Sequence, residues 1–238
     1  MSAAGAGSLR ARPVRAVLLD LDGTLLDTAA DISVALNRAL AEQRLPELAL
    51  TQVRALIGGG VPALIERAVA QLGADAAAAD AAVLLARFTF HYERILQLGP
   101  IRTRAYPGVA EGLAKLRALG LRLAVVTNKP RQAAIDLLTH TGLTREIQAV
   151  VGGDSVEHRK PHAQPLLLAC AELQVRPLEA LMVGDSLTDV LAARAAGLSV
   201  VCVPYGYNGG ADPRALPCDS FAQTLAELPA ILTAAGRR

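Results

Sequence analysis

The 238-residue sequence predicts an α/β fold, a doubly wound parallel sheet with an all-helical cap inserted after its first strand. Three observations carry this reading. Short runs rich in Val and Leu stop at polar or Gly-containing tips, and unbroken apolar strands buried on both faces belong in a parallel sheet. Helical patterns separate these runs, and strand alternating with helix is the doubly wound arrangement. Between the first and second runs lie about seventy residues of helical periodicity, far too many for one crossover.

The first run, "RAVLLDLDG" (15–23), follows "MSAAGAGSLRARP", which reads as a flexible leader over 1–13 with no apolar secretory segment behind it. From Thr28 to Leu98 no strand is expected. "DISVALNRALAEQ" (31–43), "VPALIERAVAQLG" (61–73) and "AAAADAAVLLARFTFHYERIL" (76–96) have helical spacing, and Pro46, Gly58–Gly60 and "LGP" (98–100) supply the breaks. The cap is therefore assigned to 28–100, and a Rossmann-like core to 14–27 plus 101–238.

Within the core, a helix over 108–120 leads into the strand run "LRLAVVTNK" (121–129), and a helix over 131–142 into a shorter one, "IQAVVGGD" (147–154). Helices over 164–173 and 187–197 then precede "ALMVGDS" (180–186) and "LSVVCVPYG" (198–206). Several of these helices end in Gly, as expected at a helix C-terminus. Ligands of such folds bind beyond the carboxyl ends of the strands, so a cap entering after the first strand sits over that crevice.

Composition narrows the function. The 24 basic and 22 acidic residues give a net charge of +2, which leaves no electrostatic footprint for nucleic acid or an anionic membrane. No window approaches the roughly 18 uninterrupted apolar residues of a membrane span. Cys170, Cys202 and Cys218 are odd in number and widely spaced, which suits free thiols in a reducing cytoplasm. His158 and His162 have the spacing of a helical zinc pair, but Pro161 between them breaks such a helix.

The strand tips collect a coherent set of groups. Asp20 and Asp22 end the first strand, Thr127 and Asn128 the second, and Asp185 with Asp189 the one over 180–186; Lys160 lies on the loop after the fifth candidate strand. Carboxylates so gathered repel one another unless a cation lies among them, and magnesium takes hard oxygen ligands while keeping positions for water or phosphate. Lys160, Thr127 and Asn128 offer the charge and donors that a phosphate dianion needs. An ionised carboxylate is already a nucleophile. Asp20 is thus suited to attack phosphorus, with Asp22 as acid for the leaving oxygen and then base for water.

The order DxDGT, a strand ending in Thr, a loop Lys-Pro and GDSxxD resembles the haloacid dehalogenase superfamily. Here these are Asp20 to Thr24, Thr127, Lys160-Pro161 and Gly184-Asp185-Ser186 with Asp189, spanning nearly the whole chain. The resemblance implies Asp20 as nucleophile and magnesium ligand, and Asp22 as acid/base with its backbone carbonyl on the metal. It implies Asp185 as the third protein ligand, Asp189 as support, and Thr127, Asn128 and Lys160 as phosphate binders. An acid at Asp22 sets the chain apart from the dehalogenases, which lack it. "DGTLLDTAADI" (22–32), "VVTNKP" (125–130) and "VPYGYNGG" (203–210) are similar to bacterial phosphoglycolate phosphatases. Ala30 and Ala163 stand where Pro is common in relatives; neither replaces a reacting group.

The function implied is magnesium-dependent hydrolysis of 2-phosphoglycolate through an aspartyl-phosphate, by a cytoplasmic monomer or homodimer whose partner is a small phosphorylated metabolite. A phosphatase for another small ester, such as a sugar 6-phosphate like N-acetylmuramate 6-phosphate, or a phosphomutase of the same fold, is the alternative. Specificity falls to the cap, where "LIGGGVPALIERA" (56–68) runs a Gly-rich turn into a helix with Pro62 near its start. Free amides there are expected to receive the substrate's carboxylate. Tyr205 and Tyr207 read as packing residues rather than catalysts.

Overall fold

The computed structural model describes residues 13–76 and 79–235; residues 1–12, and with them nearly all of the expected leader, lie outside the described residues. The chain opens with β1 (Ala16–Leu19), whose four side chains are all buried, and then β2 (Leu26–Asp27). Four helices follow: α1 (Ala29–Glu42), α2 (Leu50–Leu56), α3 (Val61–Leu72) and α4 (Ala81–Leu98). β3 (Arg104–Ala105) returns antiparallel to β2, so the two connections to the helical segment lie side by side. The alternation then runs α5 (Val109–Ala118), β4 (Arg122–Val126), α6 (Arg131–His140), β5 (Ala149–Val151), α7 (Gln164–Glu172) and β6 (Ala180–Gly184). It closes with α8 (Leu187–Ala196), β7 (Ser199–Cys202), β8 (Ser220–Phe221) and α9 (Leu228–Ala235).

The six-stranded sheet has the order β5-β4-β1-β6-β7-β8 and every pairing in it is parallel. β1 is central, in register with β4 on one side and β6 on the other. Alternate residues of each strand face opposite layers, as the pleat requires. Val17, Leu19, Leu123, Val125, Leu181 and Val183 pack with α5 and α6, while Ala16, Leu18, Ala124, Val126 and Met182 pack with α7 and α8. With both faces covered, the strand interiors are apolar, and the polar residues Arg122, Ser199 and Ser220 stand at strand starts. The first connection departs at β1 and the sheet then grows to both sides of it, so the crevice for a ligand lies at the tips of β1, β4 and β6.

Helices α1 to α4 build a separate apolar cluster around Leu36, Leu40, Ile65, Leu84 and Phe88. Its neck is pinned by one carboxylate. Asp31 is 1% exposed and accepts from Arg102 N at 3.0 Å, Thr103 N at 2.8 Å and Thr103 Oγ1 at 2.7 Å, tying α1 to the returning strand.

Several elements differ from expectation. The helix expected from residue 76 begins at Ala81, because Gly73–Ala76 forms a separate 3₁₀ turn and Asp80 caps α4 by accepting from Ala82 N and Val83 N. Five elements were not foreseen: β2 and its partner β3, α2, the edge strand β8 and the terminal α9. Among the described residues, no helix is long and apolar enough to cross a membrane.

Candidate active site

The first connection delivers two acids in opposite directions. Asp20 follows β1 directly, its N–H donating to Val183 O at 2.9 Å, and Leu21 N donates to its Oδ1 at 2.7 Å. Gly23, at φ +89°, then turns the chain back on itself. Asp20, Asp185 and Asp189 converge beneath it, each offering a carboxylate oxygen within 4.8 Å of the others, all three buried. The Asp22 carboxylate is not part of this triad. The side chain faces away from this cluster, accepting from Thr28 Oγ1 at 2.7 Å and lying 3.2 Å from Lys129 Nζ.

The electrostatics of the cluster ask for a cation. Burial, and after it the charge of Asp189, push the Asp20 carboxyl well above the usual carboxylate range. The same two causes push Asp185 up to about 7. Gathering three buried carboxylates is electrostatically costly, and a cation among them would relieve that cost. The surroundings also leave space and donors in a pattern that suits a metal site. A Cβ on Gly23 or on Gly206 would meet Asp185 Oδ2 at 2.2 Å, and one on Gly184 would meet Asp189 Cγ at 2.4 Å. Asp185 is oriented by Thr24 Oγ1, donating at 2.9 Å, and Tyr207 N–H, donating at 2.7 Å. A triad of buried, oriented carboxylates fits a hard divalent ion.

Lys160 closes one side of the cluster. Its ammonium lies 2.7 Å from Val126 O, 2.7 Å from Asp189 Oδ1 and 2.9 Å from Asp20 Oδ1. Burial works against its charge, but Asp189 and Asp20 outweigh it and hold Lys160 above the ordinary lysine range. Asp189 is fully engaged, since its Oδ2 also accepts from Ser186 N and Ser186 Oγ at the start of α8. Thr127 and Asn128 stand at the tip of β4, both buried. Thr127 Oγ1 accepts from Lys129 N at 3.2 Å. Asn128 Nδ2 donates to Lys160 O at 3.0 Å, propping the lysine loop, and its Oδ1 is buried without a partner.

Above these groups, a cavity of about 190 Å³ opens between the sheet tips and the helical segment. Asp20, Asp22, Thr127, Asn128 and Lys129 line its floor, and Ile32, Ile57, Leu64, Phe88 and Tyr92 its other wall. Gly58 and Gly60 of the Gly-rich turn line it too. Gly59 does not belong to the lining; a Cβ there would meet Ala63 Cβ at 2.7 Å, so a bulky residue at that position disturbs the start of α3 itself.

Sequence reasoning passed over two residues here. Lys129, present in "LRLAVVTNK" and "VVTNKP" but given no role there, is 7% exposed, faces Asp22 and lies 4.7 Å from the centroid of the Tyr92 ring. Tyr207 does pack, but its phenol also organises the neck. Thr28 N and Ala29 N donate to its Oη at 2.6 and 3.0 Å, and it donates to Asp27 Oδ1 at 3.0 Å. Arg54 of α2 completes the arrangement by pairing with the other oxygen of Asp27. Tyr205 Oη donates to Thr24 O at 2.9 Å. The imidazoles of His158 and His162 approach to 4.9 Å between ring centroids, but the acid triad is the group able to hold a metal among the described residues.

Comparison with known proteins agrees with this geometry. The model of the haloacid dehalogenase-like hydrolases matches residues 17–203. The chain is 47% identical over 226 residues to a plasmid-encoded phosphoglycolate phosphatase of Cupriavidus necator, covering 94% of this chain and 95% of that protein. Among solved structures, a predicted phosphoglycolate phosphatase from Haemophilus somnus superposes with a TM-score of 0.84 at 33% identity, covering 92% of this chain and 97% of that one. A variant of CbbY from Rhodobacter sphaeroides, in complex with xylulose-(1,5)bisphosphate, superposes with a TM-score of 0.73 at 25% identity, covering 92% and 99%.

Proposed function

We propose that this chain, which belongs to the haloacid dehalogenase-like hydrolases, is a magnesium-dependent phosphatase that hydrolyses 2-phosphoglycolate through an aspartyl-phosphate on Asp20. The phosphatase class follows from the family and from its relatives. The observation that carries the mechanism is the placement of Asp20, at the tip of the central strand, inside the acid triad and against Lys160.

In this reading an oxygen of Asp20 attacks phosphorus and the ester oxygen leaves. Asp22, facing away from the triad and into the cavity, gives that oxygen its proton; it later takes one from the water that attacks the acyl phosphate. Lys160, 2.9 Å from the attacking carboxylate, places positive charge beside the phosphoryl oxygens as they gather charge. Asp20, Asp185 and the Asp22 backbone carbonyl would hold magnesium, with Asp189 supporting, and the ion would keep Asp20 ionised and screen it from the phosphate. Thr127 and Asn128 flank the phosphate at the tip of β4.

The assignment to 2-phosphoglycolate is supported by the name of the Cupriavidus relative and by a cavity suited to a small organic group. A phosphorylated sugar is the second reading, favoured by the bisphosphate in the CbbY complex. Free, buried Cys170 and Cys202 suit a cytoplasmic enzyme. The test is hydrolysis of a panel of phosphate esters with and without magnesium. Highest kcat/KM for 2-phosphoglycolate, abolished by chelation, is expected. A sugar phosphate ranking well above it would replace the substrate, and full activity without a divalent ion would remove the metal.

A further inference from the structure

The cavity holds a cation that the chemistry at Asp20 leaves unused. Lys160 directs its three N–H groups at Val126 O, Asp189 and Asp20. Lys129 is just as deeply placed, but its polar surroundings are much poorer. Asp22 Oδ2 lies 3.2 Å away, and among the described residues no second carboxylate and no carbonyl accepts from it. An ammonium withdrawn from water is costly unless paired and hydrogen-bonded. Lys129 therefore carries donor capacity that faces the cavity it lines.

A second observation lies beside Lys129, whose ammonium is 4.7 Å from the Tyr92 ring centroid. Tyr92 of α4 is 6% exposed, lines the same cavity, and its Oη is buried without a hydrogen-bond partner. An orphaned buried hydroxyl is uncommon in folded proteins. Ile32, Ile57, Leu64 and Phe88 give the cavity an apolar wall, while Glu93 and Asp136 also belong to its lining. Beside Asp22, Lys129 and Tyr92 together offer a small anion one cation and one hydroxyl donor.

Position identifies which anion. Lys129 adjoins Asp22, the group that protonates the leaving oxygen, so the free donors lie on the leaving-group side of the phosphate. In 2-phosphoglycolate the carboxylate carbon is two bonds from the ester oxygen. An ester oxygen against Asp22 brings the carboxylate against Lys129 and Tyr92.

We infer that Lys129 and Tyr92 form the subsite for the substrate's non-reacting carboxylate, Lys129 through its ammonium and Tyr92 through its hydroxyl. The inference rests on the 2-phosphoglycolate reading above. Because Lys129 follows β4 and Tyr92 belongs to α4, the bound carboxylate also links the helical segment to the sheet.

The test compares 2-phosphoglycolate with ethyl phosphate, which carries a methyl group in place of the carboxylate. The steps at Asp20 and Asp22 are common to both esters and cancel in the ratio of their kcat/KM values. The wild-type ratio is expected to lie far above one. Removing hydrogen bonds to a charged group lowers it about tenfold in Tyr92→Phe and about a hundredfold in Lys129→Met. Tyr92→Phe keeps the ring stacked on Phe88, so it reports even where Lys129→Met fails to fold. A high wild-type ratio unchanged in both variants overturns the subsite and leaves the substrate standing. A wild-type ratio near one overturns the substrate reading, and the subsite with it.

Discussion

Gly206→Ala isolates the link between backbone shape and the acid triad. The new Cβ would lie 2.2 Å from Asp185 Oδ2, 2.3 Å from its Cβ and 2.4 Å from its Cγ. To regain ordinary contact, the carboxylate must retreat by about 1 Å. It cannot do so freely, because Thr24 Oγ1 and Tyr207 N–H hold its two oxygens at 2.9 and 2.7 Å. The overpacking costs about 1–3 kcal/mol. A catalytic group misplaced by about 1 Å costs roughly a hundredfold in rate. The assay is magnesium titration of 2-phosphoglycolate hydrolysis beside thermal unfolding. Weaker magnesium affinity, lower kcat and lower stability are expected together. Gly142→Ala is the control: its φ of +73° strains an alanine, but nothing lies within 4 Å of the added carbon. It should cost about 1–2 kcal/mol of stability and no activity. A Gly206→Ala enzyme with unchanged kcat and magnesium affinity would refute the reasoning.

Asp31→Ala strips the acceptor from Arg102 N, Thr103 N and Thr103 Oγ1. Leaving such donors unpaired should lower stability in urea by about 3 kcal/mol, and a loss under about 1 kcal/mol would contradict its role at the neck. Asp80→Ala removes an exposed cap and should cost only about 1 kcal/mol, with kcat/KM unaltered. The thiols should separate by pH. The neighbouring Cys202 holds the Cys218 thiol down to about 7, whereas burial pushes Cys170 up to about 11. Raising pH through 7 converts Cys218 to thiolate, so its alkylation by iodoacetamide should climb there and level off above, while folded Cys170 stays unlabelled; equal labelling of both would contradict the assignment.

The strands that reach the sheet's interior were legible because burial on both faces leaves a continuous apolar run ending at a polar tip, as "AVLLDLD" does. α2 was not, since its seven residues bury only Val53 and Leu56, too few to establish a period. β2, β3 and β8 are two residues long and are set by their pairing partners rather than by any pattern of their own. The start of α4 was misplaced because the Ala-rich stretch before it continues the helical pattern, and Asp80 decides where the helix begins.

In the site, motif order located Asp20, Asp185, Asp189 and Lys160. It did not name the partners of the Asp22 side chain, Thr28 Oγ1 and Lys129 Nζ. Lys129 was hidden for a related reason. Its burial arises from Tyr92, a residue of a different element, and no local window contains that contact. Gly58 and Gly60 of the turn expected to receive the carboxylate do line the cavity.

The central claim is that Asp20 itself takes the phosphoryl group. Enzyme turning over 2-phosphoglycolate with magnesium can be quenched rapidly in acid, digested, and the peptide bearing Asp20 weighed by mass spectrometry. The account predicts one phosphate on Asp20, released by hydroxylamine, and neither phosphate nor turnover in Asp20→Asn. An unmodified Asp20 peptide together with wild-type turnover by Asp20→Asn would contradict it.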